Sequence, residues 1–324
     1  MIFSDTLRSQ YQFYFSKKFL EHAVNILRLE QFAKKAELPK RSGSRVIRFF
    51  RPQVADISSI QTLSEGVPIN TFSTYVYDTV DFNLVQYGEA ARLSDIVVAT
   101  EFWDNSKSIV MKFGEDAALW CDTLIRNSIV QPGAQGLVPR YTGGATTFAA
   151  LSALTNAQGA ISPFDLLDAV TQLRVNKAPT INGGYVAILP PQAVRDIQTN
   201  TTVWLPLSYY SEPEQLMKGE TGSVFGVKCV WATNPQIESG AAGVYDPNGS
   251  IFTTIVTGMD AYGVPKLSGD RPESPAVKVV DTPDSVNPLS QFITLGWKVF
   301  YSAGILNHNF GVALRHKSNF VFAA

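Results

Sequence analysis

Residues 38–52, LPKRSGSRVIRFFRP, place five cations, Lys40, Arg41, Arg45, Arg48 and Arg51, among Val46, Ile47, Phe49 and Phe50. Such a run reads as a strand, but apolar and polar residues do not alternate in it. Val46 and Phe50 fall on one face, Ile47 and Phe49 on the other. Both faces are therefore partly covered, or one of them meets another chain. A polar, turn-rich stretch follows. YVYDTVDFNLVQ then alternates well, with Val76, Val80, Phe82 and Leu84 on one face and Tyr77, Thr79, Asp81 and Asn83 on the other. At about 3.3 Å per residue, residues 76–86 span roughly 33–36 Å. Two strands joined by a long tip make a protruding hairpin, and a hairpin of two strands is marginal by itself in water. It needs a surface to lie on, which restricts the chain to folds that supply one.

Charge sharpens the problem. The chain of 324 residues has a formal net charge of -1, yet residues 1–51 carry 11 Lys/Arg against 4 Asp/Glu, a net of +7, and residues 52–324 carry 16 against 24, a net of -8. A basic arm and an acidic body attract each other between copies, or the arm faces a polyanion, or it is a solvated basic face. Charged residues are only 17% of the chain, against an average of about 25%. That fits a surface buried against partners; a monomer with a large core is the alternative. Cys121 and Cys229 lie far apart with no CxxC, which argues against a disulfide framework or a zinc motif and for small buried hydrophobes in a reducing compartment. The first residues carry no basic segment followed by a long apolar run, so no secretory signal is expected. No stretch of about 18 apolar residues occurs, so no membrane-spanning helix is expected.

Periodicity supplies the other elements. Residues 16–37 read as an amphipathic helix ended by Pro39, with Leu20, Val24, Leu27 and Phe32 on a stripe that must dock on something. Residues 105–130 read as a long helix of roughly 39 Å, whose stripe includes Ile109, Val110, Phe113, Ala117, Trp120, Cys121, Leu124 and Ile125. Residues 131–161, rich in Gly, Ala, Ser and Thr, read as a loop. Ser162, Pro163 and Asp165 form the start signal of another helix. GGYVAILP is a buried strand, PQAVRDIQTN a short helix, and short strands with turns fill most of the remainder. The predicted class is α+β with a mainly antiparallel sheet.

Catalytic constellations are missing. The histidines are His22, His308 and His316, without HExxH spacing or a Cys/His cluster, and neither GxSxG, GxGxxG nor a P-loop occurs. Asp165 and Asp168 lie one turn apart on a helix, a spacing more typical of a solvated face than of a catalytic pair. The Arg and Phe of the ribbon suit loose contact with nucleic acid, but no recognised nucleic-acid module surrounds them.

Seven segments, in order, carry a resemblance: LPKRSGSRVIRFFR, LSEGVPI (63–69), VQYGEAARLSDIV (85–97), CDTLIRNSIV (121–130), GGYVAILPPQAVRDI (183–197), KGETGSVFGVKCVWATN (218–234) and NPLSQFITLGWKVFYSAGILN (287–307). They resemble major capsid proteins of tailed bacteriophages, of the phage-N-four-like family. The resemblance implies an α+β fold of the Hong Kong 97 type. Its parts would be an N-terminal arm (1–40), an E-loop hairpin with its base strands (41–95), a peripheral domain with a spine helix (96–145), an axial domain (146–265) and C-terminal strands returning to the peripheral domain (266–324). It implies a major capsid protein, not an enzyme and without cofactor or metal. Copies would assemble as hexamers and pentamers into an icosahedral shell around double-stranded DNA in the virion, formed in the bacterial host cytoplasm. Portal, scaffold and cement proteins are further partners it implies.

On this reading Lys40, Arg41, Arg45, Arg48, Phe49, Arg51, Glu65 and Tyr77, at the E-loop base and tip, contact other subunits, and the cations meet a neighbour's acidic body. Leu20, Val24, Leu27 and Phe32 dock the arm on a neighbour. Gly219, Gly222 and Gly226 are axial-domain turns where positive φ excludes β-branched residues. An encapsulin-like compartment shares this architecture; another virion component and an α+β enzyme are the remaining alternatives.

Some phages of this fold weld subunits through an E-loop lysine. No lysine occurs between residues 52 and 106, and both cysteines are expected to be buried within one subunit. Particles boiled in detergent without reductant should give one band near 35.5 kDa; a ladder of covalent multimers would contradict this.

Overall fold

Strand pairing, more than local propensity, decides the ends of the elements. The computed structural model describes residues 27–39, 43–52, 77–94, 105–130, 136–199, 220–234, 250–267, 276–280 and 291–320, with 60, 62, 65, 66, 96, 205, 206, 236, 237, 288 and 289. A single 3-10 turn, Glu30–Phe32, precedes β1 (Lys34–Leu38), β2 (Val46–Pro52), β3 (Tyr77–Asn83) and β4 (Val85–Ser94). Helix α1 (Asn105–Ile129) follows, then β5 (Val138–Tyr141), α2 (Phe148–Ala153), α3 (Asn156–Gly159), α4 (Pro163–Val175), β6 (Tyr185–Leu189) and α5 (Pro191–Gln198). The remaining strands are β7 (Leu205–Pro206), β8 (Glu220–Val224), β9 (Val227–Trp231), β10 (Gln236–Ile237), β11 (Phe252–Thr257), β12 (Tyr262–Leu267), β13 (Ala276–Val280), β14 (Phe292–Tyr301), β15 (Gly304–Ile305) and β16 (Gly311–His316).

These strands form three sheets. In the six-stranded sheet, β14 pairs with β4 over ten residues, from Phe292↔Ser94 to Tyr301↔Val85, and with β13. The eight-stranded sheet runs β5-β16-β11-β6-β9-β8-β7, with β10 against β11. The third sheet is the β2–β3 hairpin alone.

Three expectations need correction. Residues 34–38 are a strand, not the end of a helix: β1 pairs in parallel with β12, Lys34↔Gly263 to Leu38↔Leu267. Half-buried Ala36 and Leu38 alternate there with exposed Lys35 and Glu37, so the pairing overrides helix-forming Lys, Ala and Glu. The alternating segment 76–86 is not one strand. It switches sheets at Leu84, whose N–H donates to the Arg45 carbonyl (2.9 Å). Residues 131–161 contain β5, α2 and α3. Thr147 caps α2, and Thr155 with Gln158 forms the capping box of α3. Caps, not hydrophobic periodicity, carried the signal there. The expected helix at 163–175 is present, with its Ser162–Asp165 capping box.

Helix α1 buries Phe113, Ala117, Ala118, Cys121, Ile125 and Ile129 in a core that also takes Leu295, Val299 and Tyr301 from the six-stranded sheet and Ile188, Val230 and Ile255 from the eight-stranded one. Leu27, Leu29 and Phe32 are buried in the same core. The segment carrying them is pinned across α1. The Asp122 carboxylate accepts the N–H groups of Arg28 (3.2 Å) and Leu29 (2.9 Å), and the Tyr262 hydroxyl donates to the Leu29 carbonyl (2.6 Å). Burial pushes the Asp122 pKa up to about 6 despite those two amides and the nearby Arg126 and Arg28 charges, all of which favour the carboxylate.

A second core lies between the other face of the eight-stranded sheet and α4 and α5. His316 is fully buried on that sheet. A carbonyl only accepts, so Nδ1 carries the proton donated to the Lys317 carbonyl (2.9 Å), and Nε2 accepts from the Thr254 hydroxyl (2.9 Å). Burial lowers its pKa from 6.5 to about 4, against the raising influences of the Lys317 carbonyl and Asp196. The folded state therefore binds this proton less readily than the unfolded chain, and stability is lost as pH falls from about 6.5 to about 4. The loss is on the order of 3 kcal/mol. Asp122 acts in the opposite sense, so the His316 contribution is read as a difference. His316→Gln should flatten the loss between pH 6.5 and 4 in urea unfolding relative to the parent; an unchanged profile would contradict the assignment.

Candidate functional site

The β2–β3 hairpin stands apart as a sheet, and its two faces differ in chemistry. Its register pairs Ile47 with Phe82, Phe49 with Val80 and Arg51 with Asp78 on the inner face, and Val46 with Asn83, Arg48 with Asp81 and Phe50 with Thr79 on the outer. The inner face supplies the surface that the hairpin needs. Ile47, Phe49, Phe82 and Leu84 bury against Leu306, with Ala36, Leu38 and Leu267 around them. Phe49 and Phe82 meet edge to face, centroids 5.2 Å apart. A Cβ on Gly304 would lie 2.3 Å from the Phe82 ring, so the ring occupies space that only glycine leaves free. Arg51 pairs with Asp78 and donates to the Leu306 carbonyl (3.2 Å), tying the hairpin base to the body.

The outer face keeps apolar side chains in solvent. Phe50 is 65% exposed, Tyr77 60% and Val46 39%. Between them Arg48 makes a two-point contact with Asp81, both distances 2.7 Å. The guanidinium hydrogen bonds hold the Asp81 carboxyl below its usual range.

Several residues selected from the sequence fall elsewhere. Arg48 and Arg51 are each paired within their own hairpin, with the aspartate opposite in register, and more than a third of each side chain stays exposed. Arg45 and Glu65 are exposed. Phe49 is buried in its own chain and not presented outward. Leu27 and Phe32 were expected to dock on a neighbour but lie in this chain's core, because Asp122 ties their segment down. Gly226 has the expected positive φ (77°), in the tight turn Phe225–Gly226 between β8 and β9. Gly222 lies instead within β8, at a register shift in the ladder with β9. Leu20, Val24, Lys40, Arg41 and Gly219 lie outside the described residues.

Behind the hairpin base is an open cleft of about 640 Å³. Its ionic groups include Arg51–Asp78 and Lys34–Asp260 (2.8 Å), and among the described residues its lining includes no Ser, Thr, Cys or Tyr. Among the described residues no group of three or more His, Cys, Asp or Glu is arranged to hold a metal. Cys121 and Cys229 are free and buried; burial raises both thiol pKa values, that of Cys229 to about 12, which suppresses the thiolate. What the site offers is a two-faced ribbon whose outer face stays exposed.

No family model and no curated protein matches this chain. Solved structures do. The capsid of Ralstonia phage GP4 superposes with a TM-score of 0.68 at 12% identity, over 90% of this chain and 89% of that one. The capsid of the cyanophage P-SCSP1u gives 0.61 at 17% identity, over 91% and 89%. The SrpI encapsulin of Synechococcus elongatus PCC 7942 gives 0.54 at 9% identity, over 91% and 89%. The chain thus has the α+β fold of the Hong Kong 97 type.

The two faces should respond oppositely to substitution. Phe82→Ala removes a ring packed on Phe49 and Gly304 and should cost about 3 kcal/mol in urea unfolding of the subunit. Phe50→Asp should stay within about 0.5 kcal/mol of the parent. Equal losses at both positions would refute the two-faced reading.

Proposed function

We propose that this protein is a major capsid protein whose copies build a closed icosahedral shell around phage double-stranded DNA. The observation that carries this reading is the outer face of the hairpin. Phe50, Tyr77 and Val46 remain exposed on a ribbon whose inner face packs on its own chain, in a fold shared with two phage capsids. Exposed apolar patches mark interaction surfaces, and a shell subunit must bury such a face on its neighbours. The finer assignments rest on the seven ordered segments: the phage-N-four-like family, hexamers and pentamers, the arm, peripheral and axial divisions, separate portal, scaffold and cement proteins, and assembly in the bacterial cytoplasm. The protein would then act in the virion as structure, not as a catalyst.

The encapsulin likeness favours a second reading, a shell of the same architecture that encloses protein cargo.

Electron microscopy of particles purified from infected or expressing cells tests the class. Shells of one diameter with nuclease-protected DNA inside are expected; uniform shells holding protein and no DNA would favour the second reading. A species that remains a small oligomer under all conditions would overturn both. Phe50→Asp combined with Tyr77→Asp should abolish shells while leaving a folded subunit by circular dichroism, and normal particle yield would count against the hairpin as the contact.

A further inference from the structure

The cleft behind the hairpin is lined by apolar Phe49, Val80 and Leu306 and by the basic side chains Lys34, Arg51, Lys177 and His308. Lys34 and Arg51 are answered by Asp260 and Asp78. The side chains of Lys177 and His308 have no hydrogen-bond or ionic partner among the described residues. Lys177 is held firmly in place. It follows α4 in left-handed backbone, φ 55°, its N–H donates to the Arg174 carbonyl (3.0 Å), and that of Ala178 donates to the Leu173 carbonyl (2.9 Å). An exposed lysine on an anchored backbone, with no side-chain partner among the described residues, thus lines a cleft that also has apolar walls.

The chain contains a segment of matching chemistry. Residues 281–291, DTPDSVNPLSQ, connect β13 to β14 and carry Asp281 and Asp284 with no cation. Leu289 within it is 77% exposed. This connection joins β14 at Phe292, whereas the cleft lies beyond the other end of β14, where Tyr301 pairs with Lys266 of β12. Ten residues of β14 at about 3.3 Å each set the two ends roughly 30 Å apart. Both ends of the connection are anchored at that far end, where Val280 pairs with Thr294, and eleven residues running out and back span at most about 18 Å, less than this separation.

We propose that the cleft receives the acidic β13–β14 connection of a second copy of this chain, its aspartates opposite Lys177 and His308 and Leu289 against the apolar walls. This contact rests on the reading that copies assemble. It adds a socket to the exposed hairpin face: charge selects the partner loop and fixes its register, and the leucine anchors it.

A charge swap tests the contact in the full chain. Lys177→Glu should lower particle yield about tenfold or more, because like charges across an interface are strongly unfavourable and the contact recurs in every copy. Asp281→Lys with Asp284→Lys should do the same. The three changes together should restore yield to near the parent level, with Lys177→Ala intermediate. Singly reversed variants that assemble like the parent, or a combined variant no better than either part, would overturn the proposal while leaving the assembly reading intact. A parent protein that forms no particles would remove that reading first, and this contact with it.

Discussion

The stripe of α1 is the constraint on which the rest of the molecule depends. The 25-residue helix buries Phe113, Ala117, Cys121, Ile125 and Ile129 in one core shared by the six-stranded and eight-stranded sheets. Ala117 and Ala118 are small and fully buried on this stripe, and buried Cys121 acts as another small hydrophobe. One polar group interrupts this surface. Asp122 is buried next to Cys121, and its carboxylate is satisfied by two backbone amides of the incoming chain. A buried acceptor left without donors is costly, so the segment 27–33 cannot leave α1 without exposing that cost. Glu30 adds a second tie from the incoming segment: it is 2% exposed, and its carboxylate accepts from the Tyr301 hydroxyl (3.3 Å) and lies 3.5 Å from Lys35 and 3.8 Å from Lys266.

The same helix sets the aim of the hairpin. The six-stranded sheet packs on α1 through Leu295, Val299 and Tyr301 of β14, and β14 holds all ten residues of β4. Beyond Leu84 the chain of β4 continues back into β3, so the hairpin emerges in a direction fixed by the sheet. Its inner face then closes on Leu306 and Gly304. The outer face has no counterpart among the described residues, and the assembly reading follows from that asymmetry.

Much of this was legible in the sequence, and the reasons are specific. Helix α1 announced itself through the spacing of Phe113, Ala117, Cys121 and Ile125; α4 did so through Ser162, Pro163 and Asp165. The alternation of Val80, Phe82 and Leu84 gave the correct inner face of β3. The lack of alternation in the ribbon implied that both faces were occupied, and the structure divides them: Ile47 and Phe49 meet the body, Val46 and Phe50 do not. What failed was long-range. Lys34 to Leu38 carry helix-forming residues, and only the edge of β12, more than 200 positions away, makes them a strand. The in-register partners of Arg48 and Arg51, Asp81 and Asp78, are 33 and 27 positions further on, too far for local spacing to pair them. The burial of Leu27 and Phe32 depended on Asp122, whose value as an amide acceptor has no periodic signature.

Hydroxyl-radical footprinting of Phe50 and Tyr77, compared between the free subunit and the purified particle, tests the central claim most directly. Both rings should be oxidised readily in the subunit and strongly protected in the particle, while buried Phe82 stays protected in both. Equal oxidation of Phe50 and Tyr77 in the two states would contradict the assignment of this face to a neighbouring copy.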